Sequence, residues 1–256
     1  MACKGFFTET TPNAAGDPAR RPGPRTAVWA HRGRGGGHRE NSLEAFAWAR
    51  DLGAQGVELD VHLTADGELA VHHDEVVPGC GPIAGLRGAE LPAHVPLLAD
   101  ALAVCGGMVV NIEIKAPPPA PGRDPAGAVA AAVVGSVVAT GWAGRVVVSS
   151  FSAGVLDAVA RASRAAGAEV RLGLLVAPGV DPHTVLGTVA GRGYHCVHPF
   201  VAWVDAALVE AAGRAGLAVH VWTVNAPEDL RAMVALGVDA VITDLPVEAL
   251  TAAGGG

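Results

Sequence analysis

Aromatic and charged side chains are scarce in this sequence of 256 residues, at 4% and 17%. Half of the residues are hydrophobic, so the core must be built from aliphatic side chains. The formal net charge is −7, and the chain contains no block of basic residues. This balance argues against nucleic acid or an anionic membrane surface as a partner. An anionic substrate would need local positive charge, from a metal ion or from a few placed arginines and lysines.

Cysteine is also scarce, and the four residues Cys3, Cys80, Cys105 and Cys196 form no CxxC pair. Their spacing predicts neither a disulfide framework nor a metal–thiolate site, and it fits reduced thiols in the cytosol. Cys105 and Cys196 lie in apolar runs, so we expect both to be core residues.

Long apolar segments are missing as well. No stretch of about 18 apolar residues is free of charges and helix breakers, so the sequence predicts no membrane-spanning helix. Residues 1–25 are polar and proline-rich and lack the apolar run of a signal peptide, which predicts a disordered leader. These absences favour a cytoplasmic protein. Residues 26–253 have the length of one large α/β domain.

Short β-rich runs alternate with alanine-rich helical stretches through this domain. Strands are predicted at 26–31, 56–60, 108–115, 145–151, 171–176, 194–198, 218–224 and 239–243. Helices are predicted near 43–52, 96–105, 125–140, 153–166, 181–190, 205–214 and 227–236, with a short one after Pro246. Eight strands, each followed by a helix, predict an α/β fold of the (β/α)₈ TIM-barrel type. An open doubly wound sheet alternates in the same way but usually has fewer strands.

One further β-run, 68–73, interrupts this alternation. Only Ala65-Asp66-Gly67 joins it to 61–64, which is too short for a parallel crossover and predicts an antiparallel hairpin after the second strand. A two-residue turn would place His73 on the same face as the carboxylates of the second strand, and a three-residue loop would place His72 there. We prefer the two-residue turn and therefore His73.

Polar residues stand where the first three barrel strands end, and barrel enzymes place their active sites at that end. The three strands end in His31-Arg32, in Glu58-Leu59-Asp60 and in Glu113-Ile114-Lys115. Residues two apart on a strand share a face, so the three carboxylates and the lysine should converge. A divalent cation is their natural partner, and oxygen-only ligands suit Mg²⁺ or Ca²⁺ rather than Zn²⁺.

Histidines and cationic side chains at this end suggest phosphoryl chemistry. Two imidazoles across a reacting centre, here His31 and His73, can serve as base and acid, each typically worth about 10²–10⁴ in rate. A cation with Arg32 and Lys115 would neutralise a phosphoryl group as charge builds on it. Lys115 is one of only two lysines in a chain that otherwise uses arginine, which indicates a specific role.

An ordered set of motifs, spread over about residues 27–250, resembles the glycerophosphodiester phosphodiesterase family. The motifs are AHRG at 30–33, ENS at 40–42, GVELDV at 56–61, TADG at 64–67, VHHD at 71–74, NIEIK at 111–115, VWTVN at 221–225 and GVDAVITD at 237–244. The resemblance implies a TIM barrel that hydrolyses glycerophosphodiesters to glycerol 3-phosphate and an alcohol. It also implies one divalent cation, Ca²⁺ or Mg²⁺, and a small-molecule substrate.

The same resemblance implies a role for each matching site residue. It implies His31 and His73 as the acid/base pair, Glu58, Asp60 and Glu113 as cation ligands, Arg32 and Lys115 as phosphate ligands, and Trp222 as a wall of the glycerol pocket. Glu40 is grouped with the substrate-binding residues, although it could equally be a helix-start carboxylate without a chemical role. In the family route, the glycerol 2-hydroxyl attacks phosphorus, and water then opens the cyclic phosphate.

Two other functions fit a barrel of this kind. A related phospholipase, acting on a phosphoinositide or a sphingomyelin-type lipid, would need an apolar rim. The excursion at 78–95 offers only Ile83, Leu86, Leu91 and Val95 as large apolar residues, which argues against it. A non-catalytic barrel that binds a phosphorylated ligand would not need every acid, base and ligand position to be filled. The motifs are compatible with both Ca²⁺ and Mg²⁺, with different alcohols as the released group and with any oligomeric state.

Overall fold

The structure is a computed structural model that describes residues 26–115 and 124–254. The strands in these ranges are β1 Ala27–His31, β2 Gly56–Leu63, β3 Leu69–Val71, β4 Val76–Val77, β5 Gly81–Pro82, β6 Val109–Ile114, β7 Val146–Ser150, β8 Arg171–Val176, β9 Cys196–Pro199, β10 Ala218–Val221 and β11 Ala240–Thr243. The helices are α1 Leu43–Leu52, α2 Leu98–Val104, α3 Pro125–Ala139, α4 Ala153–Ala166, α5 Leu186–Gly191, α6 Ala206–Arg214, α7 Pro227–Leu236 and α8 Pro246–Gly254. The leader expected at 1–25 lies outside the described residues.

Eight parallel strands close into a barrel. Their order is β1-β11-β10-β9-β8-β7-β6-β2, and β1 also pairs with β2, which closes the sheet. The predicted (β/α)₈ TIM barrel is therefore confirmed, with helices following the strands around it. β3 pairs antiparallel with β2, so the predicted hairpin after the second strand is also present.

The predicted two-residue turn of this hairpin is wrong. The register pairs Val61 with Val71 and Leu63 with Leu69, which is the register of a three-residue loop. The Thr64 hydroxyl donates to Asp66 and accepts from the backbone N–H of Glu68, and the third loop residue, Gly67, has φ +90°. A type I turn followed by a left-handed glycine is the usual build of such a loop.

Capping residues explain why several helices have the bounds that the sequence predicts. Before α1, the Ser42 side chain accepts a hydrogen bond from the backbone N–H of Ala45, and left-handed Gly53 ends the helix. Helix α7 starts with Pro227 in its first turn and ends at left-handed Gly237. Such side-chain oxygens and glycines satisfy the terminal backbone groups that the helix itself leaves unpaired.

The segment between β3 and α2 is a packed connection rather than an irregular excursion. β4 and β5 form a small antiparallel pair within it, and Ile83–Gly85 and Gly88–Glu90 are short 3₁₀ turns. Val77, Ile83 and Val95 are buried with Ala70 of β3 in a small separate cluster. The apolar side chains of this segment therefore face the hairpin. Within the described ranges, no helix is long and apolar enough to cross a membrane.

The interior of the barrel carries a layer of side chains distinct from the core between sheet and helices. Strand residues alternate between the interior and the helices. Trp29, Val147, Ala240 and Ile242 form the apolar part of the interior cluster, together with Cys196. The outer core is aliphatic, as expected, and Cys105 is buried in it.

The barrel interior also holds buried polar side chains. His198 and His220 are essentially inaccessible, and their rings lie 4.8 Å apart, edge to face. Burial lowers the pKa of His198 well below its usual value, and it lowers the pKa of His220 to about 3 with help from the charge of Arg171. Both imidazoles are therefore neutral.

Candidate active site

A cavity of about 250 Å³ opens at the carboxyl end of the barrel. Its walls are formed by His31, Arg32, Glu58, His73, Asn111, Glu113, Lys115, Phe151, Leu175, Trp222 and Ile242. Of the nine residues singled out from the sequence, seven line this cavity. The other two are Asp60, which lies buried against Arg32 and Lys115, and Glu40, which contacts Arg32.

Strand register places the site residues at matching heights around the barrel. His31 of β1 lies beside Glu58 of β2, and Asp60 lies beside Glu113 of β6. Glu58 is also level with Asn111. The parallel pairing of these strands therefore brings the histidine-bearing end of β1 and the carboxylate-bearing ends of β2 and β6 to one edge of the barrel.

The three carboxylates predicted as cation ligands converge. Each of Glu58, Asp60 and Glu113 is buried and offers an oxygen within 4.8 Å of the others. The Lys115 ammonium contacts two of them, at 2.7 Å from Asp60 Oδ1 and 2.6 Å from Glu113 Oε1. Among the described residues, Glu58 Oε1 is buried without a hydrogen-bond partner. A buried, unpaired carboxylate oxygen is costly and marks a position where a cation would be stabilised.

Crowding of these carboxylates shifts their pKa values apart. Burial and the neighbouring charges of Asp60 and Glu113 raise the pKa of Glu58 well above its usual value. Burial, with Asp60 beside it, also raises the pKa of Glu113. Burial acts in the same direction on Asp60, but the charges of Lys115 and Arg32 outweigh it and hold the pKa of Asp60 below its usual value.

Arg32 is fixed between three carboxylates just after β1. It has a left-handed backbone with φ +54°, and its backbone N–H donates to Glu58 Oε2 at 3.1 Å. Its guanidinium donates to Glu40 Oε1 at 3.1 Å and lies 3.4 Å from Asp60 Oδ2. Glu40 also accepts from Arg34 Nε at 2.6 Å. Glu40 therefore holds the two guanidinium groups in place from outside the cavity.

His31 is held by Asp244, which lies in the motif at 237–244 and had no predicted role. Its Nδ1 lies 2.6 Å from Asp244 Oδ1, and its Nε2 faces the cavity side, 3.9 Å from Glu58 Oε2. Asn225 donates to the other oxygen of Asp244 at 2.8 Å. Such a carboxylate fixes the orientation and tautomer of a histidine. Because β11 neighbours β1 in a closed barrel, the position of Asp244 directly after β11 could have indicated its contact with His31.

His73 reaches the cavity although the hairpin register differs from the expected one. Ladder pairing in β3 ends at Val71, and the backbone N–H of His72 still donates to the carbonyl of Asp60. His73 comes after this point, and its Nδ1 lies 2.7 Å from Asp74 Oδ1. Both cavity histidines therefore carry a carboxylate on Nδ1.

One wall of the cavity is apolar and aromatic. The Trp222 ring stacks edge to face with Phe151 and Phe200, with centroids 5.6 and 5.5 Å away, and its indole N–H donates to the carbonyl of His198. Phe151 is 46% exposed at the rim. The cavity thus has a charged half, formed by β1, β2 and β6, and an apolar half across from it.

Comparisons with known proteins identify the family. The model of the glycerophosphoryl diester phosphodiesterase family matches residues 31–248. A glycerophosphodiester phosphodiesterase of Caldanaerobacter subterraneus subsp. tengcongensis is 33% identical over 87% of this chain and 95% of its own, and one of Bacillus altitudinis is 30% identical over 88% and 97%. The crystal structure of a glycerophosphodiester phosphodiesterase from Parabacteroides distasonis superposes with a TM-score of 0.78 and 26% identity, over 90% of this chain and 98% of its own. The chain therefore belongs to the glycerophosphoryl diester phosphodiesterase family of enzymes.

Proposed function

We propose that this enzyme hydrolyses small glycerophosphodiesters to glycerol 3-phosphate and an alcohol in the cavity at the barrel mouth. The observation that carries the proposal is the composition of that cavity. Two histidines, Glu58 and Glu113 line it together with Arg32 and Lys115, and the buried Asp60 completes the carboxylate cluster behind them. Acid/base groups and phosphate ligands therefore surround one small volume. Family membership supports the same reaction class.

The carboxylate cluster fits one hard divalent cation, Ca²⁺ or Mg²⁺. Three buried carboxylates supply oxygen ligands only, and the unpaired Glu58 Oε1 is one of them. Mg²⁺ and Ca²⁺ prefer oxygen ligands, whereas softer metals prefer sulfur and nitrogen. When bound, the cation would supply positive charge to the phosphoryl oxygens of the substrate.

The two histidines suit the roles of base and acid. In each ring, Nδ1 lies against a carboxylate, Asp244 for His31 and Asp74 for His73, which leaves Nε2 to exchange protons. One imidazole takes the proton of the glycerol 2-hydroxyl as its oxygen bonds to phosphorus. The other gives a proton to the alcohol oxygen as its bond to phosphorus breaks. Water then opens the cyclic phosphate with the two roles exchanged.

The remaining cavity residues would hold the substrate. Arg32 is held by Glu40 and can donate hydrogen bonds to phosphate oxygens without reorganisation, whereas Lys115 would first turn away from Asp60 and Glu113. Trp222, backed by Phe151, presents an apolar face to the carbon atoms of glycerol or of the alcohol.

A screen of glycerophosphodiesters tests the proposal. Glycerol 3-phosphate release should be measured for several alcohols, each with Ca²⁺, Mg²⁺ and Mn²⁺ supplied separately to chelator-treated enzyme. We expect release with at least one substrate and none without a divalent cation. Full activity after chelation would contradict the cation site, and binding without turnover of any substrate would favour a non-catalytic barrel.

A vesicle assay separates this proposal from a phospholipase that works on membranes. Ile83, Leu91 and Val95 of the 78–95 segment pack with Ala70 of the hairpin, and the aromatic side chains that line the cavity are Phe151 and Trp222. We expect turnover of glycerophosphocholine in solution and no sedimentation with phosphatidylcholine vesicles. Cleavage of phosphoinositides or sphingomyelin in vesicles, without activity on the soluble diester, would favour the phospholipase.

Cation binding is expected to stabilise the fold in a pH-dependent manner. Without a cation, the raised pKa of Glu58 means that folding favours the protonated form of this carboxyl group. The contribution of Glu58 to the free energy of unfolding is therefore complete below the usual carboxyl pKa and is lost as pH rises through the folded-state pKa. A cation at about 100 times its Kd should add about 3 kcal/mol, or about 5–10 °C in Tm. The shift should be larger at neutral than at mildly acidic pH, because protons compete for Glu58. Thermal unfolding with and without Ca²⁺ or Mg²⁺ measures it, and an equal shift at both pH values would contradict the expectation.

Replacing Asp244 tests its role in positioning His31. In Asp244→Asn, the amide can no longer fix the ring by a charged hydrogen bond, and we expect kcat to fall about 10–100-fold with KM nearly unchanged. Steady-state kinetics measure kcat and KM separately, with Asp100→Asn, at an exposed position of α2, as the matched control. A rise in KM alone would assign Asp244 to substrate binding instead.

A further inference from the structure

Three polar side chains meet inside the barrel, and none of the three lines the mouth cavity. They are Cys196 and His198 of β9 and His220 of β10, and all three are essentially inaccessible. Their surroundings include Trp29, whose ring centroid lies 4.5 Å from that of His220, and the apolar interior cluster. Aliphatic side chains would fill this space without burying polar atoms, so the trio calls for a bonding role.

Two of the three distances among the donor atoms match those of a tetrahedral metal site. Cys196 Sγ lies 3.4 Å and His220 Nδ1 lies 3.2 Å from His198 Nε2, and one donor atom from each residue lies within 4.8 Å of the others. Around a tetrahedral zinc ion, bond lengths of about 2.05 Å to nitrogen and about 2.3 Å to sulfur give edges of about 3.3 Å and about 3.6 Å. The two observed distances lie close to these edges.

Gly173 lets two of these side chains approach the backbone of β8. It lies in β8, directly across from Cys196, and it is not among the residues with positive φ, so its backbone does not require glycine. A Cβ at this position would lie 2.3 Å from His198 Nε2 and 2.8 Å from Cys196 Sγ. A glycine in a buried strand often marks such a close approach. Any larger residue at 173 would therefore displace a nitrogen and a sulfur donor.

Hydrogen bonds are the alternative explanation of the trio. One proton can lie between His220 Nδ1 and His198 Nε2 in either tautomer, and the Cys196 thiol donates to the carbonyl of Leu172 at 3.5 Å. The outer ring nitrogens, His198 Nδ1 and His220 Nε2, are buried without a hydrogen-bond partner in the described ranges, and an ion bound at the facing atoms would leave them so. Zinc content therefore decides between the two explanations.

We propose that Cys196, His198 and His220 bind one zinc ion inside the barrel. Thiolate and imidazole are the ligands that zinc prefers, whereas the carboxylates at the mouth suit a hard cation, so the two sites select different ions. Binding releases the thiol proton of Cys196, and the thiolate offsets one of the two charges of the ion. The positive charge of Arg171, at the amino end of β8, repels the remaining positive charge of the ion. The Arg171 guanidinium also donates to the carbonyl of Gly144. Three protein ligands leave one coordination position for water.

Zinc content is the direct test, made on the full chain after dialysis against excess Mg²⁺ and a weak chelator. We expect one zinc ion per chain in the wild type, with at least about a tenfold loss in Cys196→Ala, because removing one ligand costs at least this much affinity. Cys105→Ala, which removes another buried thiol, and Glu113→Gln, which alters the mouth site, should both retain zinc. Wild-type protein without zinc, zinc that survives in Cys196→Ala, or zinc lost in Glu113→Gln would overturn the proposal.

A spectroscopic measurement covers the case in which Cys196→Ala does not fold. Zinc-depleted wild-type protein is titrated with Co²⁺ in the presence of excess Mg²⁺, and the near-ultraviolet spectrum is followed. We expect a sulfur-to-cobalt charge-transfer band that also appears in Cys105→Ala and saturates at one ion per chain. Absence of this band in folded wild-type protein would overturn the proposal. This test does not depend on the proposed hydrolytic activity.

Discussion

In His31→Gln and in His73→Gln, we expect kcat to fall by about 10²–10⁴ each, because each variant loses one proton-transfer group. Glutamine can keep a hydrogen bond to the carboxylate that holds each ring, Asp244 or Asp74, so the shape of the cavity should be preserved. Neither residue is one of the three proposed cation ligands, so cation-dependent stabilisation should remain. Measuring kcat and the cation-induced Tm shift for both variants tests these expectations.

His72 supplies the matched control for this experiment. It precedes His73 directly, and its Nδ1 lies 2.9 Å from the backbone carbonyl of Asp74, but it does not line the cavity. His72→Gln should keep kcat within about threefold of the wild type. The double variant His31→Gln/His73→Gln should lose less than the product of the two single losses, because both residues act in one step. A large loss in His72→Gln with an active His73→Gln would reverse the assignment.

Loss of one cation ligand should have an effect of similar size. In Glu113→Gln, the remaining carboxylates still pair with Lys115 and Arg32, but the ligand charge falls by one. We expect the cation concentration for half-maximal activity to rise by at least about 10–100-fold and kcat to fall about 10²–10³-fold, as when a group that stabilises transition-state charge is lost. Activity measured against Ca²⁺ and Mg²⁺ concentration gives both quantities.

Two comparisons make this result specific. Glu169→Gln removes an exposed carboxylate from outside the site and should leave the cation dependence unchanged. Chelation of the wild-type enzyme should abolish activity, and added cation should restore it. If Glu113→Gln retained the wild-type cation requirement, Glu113 would serve only as an ion-pair partner of Lys115.

Much of the barrel could be predicted because its signals are local. The apolar run at 171–176 and the capped helices α4 and α7 have the predicted bounds, since caps and hydrophobic periodicity lie within a few residues of each element. The hairpin register could not be fixed in the same way. A glycine as the third loop residue changes the register by one, and the sequence Thr64-Ala65-Asp66-Gly67 was compatible with both turn lengths.

Contacts between strands that are distant in the chain could not be predicted from local patterns. Asp244 reaches His31 only because β11 and β1 close the sheet, and 213 positions separate the two residues in the chain. In the same way, cysteine spacing predicts no metal–thiolate site, and the proposed zinc ligands Cys196 and His220 come together only across β9 and β10. Spacing within one segment cannot detect a cluster assembled from neighbouring strands.

Lys115 gives the site an internal counter-ion. Its ammonium lies between Asp60 and Glu113, so it neutralises part of the carboxylate charge before any divalent ion arrives. In the proposed reaction, an arriving ion would compete for the same oxygens and would free the ammonium to turn towards the phosphate of a substrate. Ion and substrate should therefore bind cooperatively: occupancy of the carboxylate cluster prepares the anion-binding group, and the empty enzyme keeps that group neutralised.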